Sequence, residues 1–164
     1  AREYKDKLQI AFKPHPSLLT ELYLHPEWGK ERTDTYYAAW RDLDNGQLDE
    51  GEYKDLFMTS DAIIHDCGSF SIEYHYSLKP AMYVSQDLKE YTDTLSEFGR
   101  MAVNLHYKAS NREDILRFIE HNVLGEEDPM LSARQNFYNK YLLPPNGKSV
   151  VENTLSDMLN SLGH

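Results

Sequence analysis

The stretch Ser60-Asp-Ala-Ile-Ile-His-Asp-Cys-Gly-Ser-Phe-Ser-Ile-Glu-Tyr-His-Tyr-Ser-Leu-Lys-Pro-Ala-Met-Tyr-Val84 decides the fold. Ala62-Ile63-Ile64 is a short, mostly β-branched apolar run, the pattern of a buried strand. Asp66 to Ser69 supplies a turn, and Phe70 to Ser77 reads as a helix that Ser69 or Ser71 is placed to cap. Lys79-Pro80 stops that helix, and Ala81 to Val84 is a second apolar run. Strand, small-residue turn, helix and strand make a βαβ unit, and such a unit is built with a parallel sheet.

That geometry carries chemistry. A helix that starts from a Gly/Ser turn presents unpaired N–H groups and a partial positive charge, which suit a phosphate. Gly68 lets backbone approach closely, Ser69 and Ser71 add hydroxyls, and Glu73 sits one turn in, where a carboxylate can hold ribose hydroxyls. The plainer reading stands beside it: the serines cap the helix and Glu73 faces its dipole.

The 164 residues are 40% hydrophobic and 27% charged, a balance that suits one compact α/β domain over residues 1–164. The formal charge of −10 argues against a nucleic-acid partner, which needs clustered Lys and Arg. The single cysteine, Cys67, has no disulfide partner in the chain. It sits near a helix start, but no base pairs with it by sequence. No apolar run approaches the ~20 residues that cross a bilayer. The charged opening residues lack a signal core, so a cytoplasmic location is expected. The chain starts without Met, almost directly in a strand, and we read it as part of a longer protein. Seven scattered histidines without ligand spacing predict no metal.

Working outward, Leu8 to Phe12 reads as a strand that ends in Lys13-Pro14-His15-Pro16. The two prolines forbid helix and hold His15 at the strand's carboxyl edge, where ligands bind in open parallel sheets. His15 is therefore a candidate acid, base or phosphate donor. The Asp66–Ser69 turn is expected on the same edge, so that both line one crevice. Ser17 caps a helix to about Leu24, and Glu31 to Leu43 reads as a helix whose Tyr36, Tyr37 and Trp40 pack inward rather than stack on a base. Leu48 marks a very short strand, and Glu50 to Met58 a helix with Tyr53, Leu56 and Phe57 on its buried side.

Beyond Val84, residues 85 to 91 read as a polar loop or irregular helix. Thr92 to Arg100 reads as a polar segment ending at Gly99, with Arg100 a candidate phosphate or substrate contact. Ala102 to His106 is expected as a strand. Helices follow from Ser110 or Asn111 to about Asn122, from Asp128 to about Tyr141, and from Ser149 to Leu162. The last is expected to turn Val150, Val151, Leu155, Met158 and Leu159 inward. His65 is read as structural or surface.

The order of these motifs resembles the CDP-glycerol glycerophosphotransferase family. The resemblance runs through Phe12-Lys13-Pro14-His15-Pro16, then Tyr53 to Ile64, then Asp66-Cys67-Gly68-Ser69-Phe70-Ser71-Ile72-Glu73-Tyr74, then Lys79-Pro80. It covers residues 8 to 91 well and the C-terminal helices loosely. It implies a Rossmann-like parallel sheet flanked by helices, as in the C-terminal, donor-binding domain of a two-domain GT-B transferase. It implies transfer of a glycerophosphate or glycosyl unit from a nucleotide donor to a polymer of the teichoic-acid or capsule type. His15 falls on the family's functional histidine. Lys13, Asp66, Gly68, Ser69, Ser71 and Glu73 make the nucleotide- and phosphate-binding set. The family's Asp-Tyr-Ser-Ser turn is here Asp66-Cys67-Gly68-Ser69, and a Thr common before the Asp is His65. These departures leave the donor open between CDP-glycerol, another CDP-alcohol and a nucleotide sugar. No cofactor beyond the nucleotide donor is implied. The implied partners are that donor and a polymeric or lipid-linked acceptor reached through a preceding domain, with the whole protein acting at the inner membrane face. A binding module without turnover and an epimerase-like domain are the other readings.

Overall fold

The computed structural model describes residues 1–87 and 92–162. Part of the polar stretch read at residues 85–91 therefore lies outside the described residues. The chain forms two compact units, Ala1–Ser60 and Asp61–His164.

In the first unit a short 3-10 turn, Arg2–Tyr4, precedes β1 (Ile10–Phe12), α1 (Leu18–Leu24), α2 (Gly29–Arg41), β2 (Gly46–Leu48) and α3 (Lys54–Thr59). Strands β1 and β2 pair in parallel with Phe12 opposite Leu48. Phe12 is the hub of the packing. Its ring stacks on Trp40 at 5.0 Å and meets Tyr36 and Tyr37 edge-on at 5.6 and 6.0 Å. The aromatic stripe of α2 is thus core. Helix α3 starts four residues later than the sequence suggested, because Asp49 folds its carboxylate back onto the Gly51 N–H in a local turn. Tyr53, Leu56 and Phe57 are half-buried, with the Tyr53 and Phe57 rings 5.0 Å apart.

The second unit is built on β3 (Ile63–His65), β4 (Ala81–Val84) and β5 (Tyr107–Ala109), parallel throughout in the order β3-β4-β5. The βαβ unit read from Ser60 to Val84 is present. Its helix is α4 (Phe70–Glu73), which tightens into a 3-10 turn over Tyr74–Ser77. Leu78 leaves that turn in the left-handed conformation, and Lys79-Pro80 leads into β4. As the middle strand, β4 is the most buried, and Met82 packs with Ala109 and Phe118. Helix α5 (Glu97–Val103) follows, and after β5 come α6 (Arg112–Arg117) and α7 (Leu131–Phe137). Both of the latter run on into π-helical turns, over Phe118–Val123 and Tyr138–Leu142.

Three expectations are corrected here. Residues 92–100 do not end at Gly99, and Ala102 to His106 is no strand. Ser96 accepts a bond from the Gly99 N–H and caps α5, which carries Ala102 and Val103 into the core as helix. The strand begins only at Tyr107. An apolar run of four or five residues fits a buried helix end as well as a strand. Third, α8 (Val150–Leu162) forms as expected, with Ser149 and Glu152 in a reciprocal cap, but its apolar side chains do not face inward. Val150, Val151, Leu155, Met158, Leu159 and Leu162 are 55% to 83% exposed.

Candidate functional site

In the first unit His15 lies three residues past the carboxyl end of β1, on the extended exit that its flanking prolines impose. It is exposed. Its Nδ1 is 2.7 Å from Ser17 Oγ and accepts from the Ser17 N–H at 3.2 Å. Ser17 Oγ lies between that ring nitrogen and the Glu21 carboxylate. Ser17 stands at the start of α1 but makes no side-chain cap bond, since its hydroxyl faces these two groups instead. The engaged Nδ1 fixes the ring and leaves Nε2 as the outward edge. Lys13, expected at a phosphate, has its ammonium 3.4 Å from the Asp49 carboxylate and donates to the Gly51 carbonyl. It ties the exit of β1 to the exit of β2, alongside the Asp49 N–H bond to the Phe12 carbonyl.

In the second unit Asp66 to Ser69 follows β3 directly, at its carboxyl end. The turn is fixed by its own carbonyls. The Asp66 carbonyl accepts from Tyr83 Oη at 3.2 Å, and the Cys67 carbonyl from Ser71 Oγ at 3.4 Å and from His65 Nδ1–H at 3.1 Å. The Gly68 carbonyl accepts from the Ser71 N–H, and the Ser69 carbonyl from the N–H groups of Ile72 and Glu73. Four successive carbonyls are thus taken by the protein. Asp66, Gly68 and Ser69 remain exposed at the outside of the turn.

The serines divide. Ser69 precedes α4 without a side-chain cap bond, and its hydroxyl lies 3.5 Å from the Cys67 sulfur. Ser71 is 2% exposed and braces the turn from within. Neither hydroxyl caps the helix, contrary to the sequence expectation, because each reaches backwards to Cys67. Glu73 is half-buried in the first turn of α4. Arg100 is exposed on α5 and donates to the Leu95 carbonyl, five residues back.

Sequence reading missed the support behind the turn. His65 is buried on β3, and His106 is 1% exposed just before β5. His65 Nε2 is 3.1 Å from His106 Nδ1, and the His106 ring stands 4.9 Å from that of His75, whose Nε2 donates to the Ala102 carbonyl at 3.0 Å. Burial pushes His65 down to about 4 and His106 down to about 2, and it lowers His75 too. The low-dielectric surroundings thus favour the neutral form of all three rings at neutral pH. Strand alternation held a signal: Ile63 and His65 share a face, and Ile64 points out. Among the described residues no cluster suited to a metal ion occurs.

Parallel sheets flanked by helices, with an exposed small-residue turn at the carboxyl end of β3, define the class: an α/β protein of the Rossmann-like type. A family model described as CDP-Glycerol:Poly(glycerophosphate) glycerophosphotransferase matches residues 1–151. The chain belongs to that family, as the ordered motifs around His15 and Asp66 implied, and the family indicates glycerophosphotransferase-type activity. Searches of curated proteins and of solved structures found no match. Among the described residues no helix is long and apolar enough to cross a membrane.

Proposed function

We propose that this chain is the donor-binding part of a transferase that moves a glycerophosphate unit from CDP-glycerol, or a closely similar nucleotide-linked donor, to a cell-surface polymer. The observation that carries this reading is the family match over residues 1–151, which contains the braced, outward-facing turn at Asp66–Ser69. In the reaction an acceptor hydroxyl oxygen bonds to the glycerol-bearing phosphorus. The bond from that phosphorus to the bridging pyrophosphate oxygen breaks, the hydroxyl proton is lost, and the nucleoside monophosphate leaves with the electron pair.

The chain's own groups have distinct parts. The Gly68–Ser69 edge and the Ser69 hydroxyl receive the diphosphate and steady charge on the leaving group. His15, with Nδ1 held by Ser17, presents Nε2 on the first unit as a donor or acid. Glu73 takes ribose hydroxyls. Asp66, as a carboxylate, suits a hydroxyl rather than a phosphate oxygen. Lys13 and Ser71 act by holding their turns in shape. The acceptor, polymeric or lipid-linked, is bound by another part of the protein, which works against the inner membrane face.

Calorimetric titration of the chain with CDP, CDP-glycerol and UDP-sugars tests this. The expected result is a preference for CDP species that falls at least about tenfold in a folded Ser69→Ala variant. Absence of nucleotide binding at millimolar concentration would overturn the site, and a preference for UDP-sugars would move the reading to glycosyl transfer.

A further inference from the structure

The histidines behind the turn form a directed arrangement. A carbonyl oxygen only accepts, so the contact of His65 Nδ1 with the Cys67 carbonyl places a proton on Nδ1. In the neutral ring that leaves Nε2 as an acceptor, and the 3.1 Å contact is then a bond from His106 Nδ1–H. His106 Nε2 is in turn the unprotonated nitrogen. It is buried and has no hydrogen-bond partner among the described residues. Three polar positions are thereby fixed in one sense, from the base of β5 through β3 to the turn.

We propose that His65 and His106 are positioning residues, and that this one-way run of hydrogen bonds holds the Cys67 carbonyl inward so that the Gly68–Ser69 edge faces out toward the donor. The proposal rests on the reading of that turn as the donor site. It explains why the turn tolerates Gly68, the most flexible residue, at its tip: the restraint comes from behind. The run works only with neutral rings. A second proton on His65 would set an N–H against the N–H of His106, and one on His106 would bury a charge among its neighbours. The groups facing His65 are Asp66, Lys108 and His75, and those facing His106 are His65, His75, Lys108 and Arg134. Apart from Asp66, exposed at the turn, none of these is acidic.

The test has two arms on the full chain. Imidazole 15N shifts from pH 4.5 to 8 should show Nδ1–H tautomers for His65 and His106, an Nε2–H tautomer for His75, and no imidazolium at pH 6. An Nε2–H tautomer at His65, or its protonation at pH 6, would overturn the run whatever the chain binds. In the second arm, CDP-glycerol affinity should fall about tenfold in His106→Phe and at least as far in His65→Val. It should recover substantially in His65→Asn, which keeps a donor for the Cys67 carbonyl. Wild-type affinity in a folded His106→Phe, or equal losses in His65→Asn and His65→Val, would refute the positioning role. Should His106→Phe not fold, the two His65 variants decide. If the wild-type chain shows the stated tautomers but binds no CDP species, the donor reading fails and with it the positioning role.

Discussion

Arg134 is fully buried and donates one amino group to the Asp128 carboxylate and, at 3.3 Å, to the Leu78 carbonyl. Tyr107 Oη donates to the same carboxylate at 3.1 Å, so Asp128 joins α7 to β5. Burial, and then that bond, push the Tyr107 phenol up to about 12. The remaining Arg134 nitrogens, Nε and Nη1, are buried without a partner among the described residues. Removing one member of such a pair leaves the other charge buried and uncompensated. Asp128→Ala should therefore cost about 3–5 kcal/mol, while Arg134→Met should cost less, because the Asp128 it leaves behind is 15% exposed and keeps the Tyr107 hydroxyl as a donor. Urea denaturation of both variants measures this, and a larger loss in Arg134→Met would show that the pair is net stabilising.

Tyr37 gives a prediction of opposite sign. Its ring is buried against Phe12 and Tyr36, but its hydroxyl is buried with no partner among the described residues. Burial also raises the phenol's pKa, with Glu50 and Tyr36 adding to it. An unsatisfied buried hydroxyl carries a desolvation penalty of roughly 1–3 kcal/mol. Tyr37→Phe should accordingly be neutral to about 1 kcal/mol more stable, whereas Tyr37→Ala should lose about 3–5 kcal/mol by emptying the ring's place. Thermal melts of the pair decide. A clear loss in Tyr37→Phe would mean the hydroxyl has a partner after all.

The sequence was most legible where covalent constraints act locally. Pro14, Pro16 and Pro80 fix the backbone around them, so the exit of β1 and the entry to β4 were readable from single residues. The family's ordered motifs point to the class, and the aromatic stripe of α2 packs on Phe12 as its spacing predicts. What failed were statements about partners. Ala102–His106 looks like a strand until Ser96 is seen to cap the helix before it. Ser71 looks like a cap until its hydroxyl is seen to turn back to Cys67. His106 carries no local signal at all, because its meaning comes from His65, 41 positions away. Periodicity tells which side of an element is apolar but not what lies against it, and the apolar side of α8 is exposed.

That exposed face of α8 supports a direct check. Core truncations of leucine typically cost 2–5 kcal/mol, and substitutions at exposed positions stay within about 0.5 kcal/mol. Leu155 and Leu159 are 55% and 61% exposed. Leu155→Ser and Leu159→Ser should leave the urea midpoint of this chain within that narrower band. Phe118→Ala, in the core with Met82 and Ala109, should lose about 3–5 kcal/mol. A loss above 2 kcal/mol in either serine variant would place α8 against the body of the protein.

The buried histidines set the acid side of the stability curve. An unfolded histidine takes its proton near pH 6.5, while burial holds His65 to about 4 and His106 to about 2, and lowers His75. Above pH 6.5 both states are neutral and the rings contribute no slope. Below it the unfolded chain binds protons that the folded chain refuses, so stability falls with falling pH. The slope is about 1.4 kcal/mol per pH unit for each histidine, persisting to about pH 4 for His65 and lower for His106. Urea midpoints at pH 7.5, 6 and 5 should therefore drop progressively, and His106→Phe should remove one proton's share of the drop. Proton uptake on unfolding, followed at pH 5.5, gives the count directly. An identical uptake in wild type and His106→Phe would mean that His106 is already protonated in the folded protein, and the neutral run from β5 to the Cys67 carbonyl would not exist.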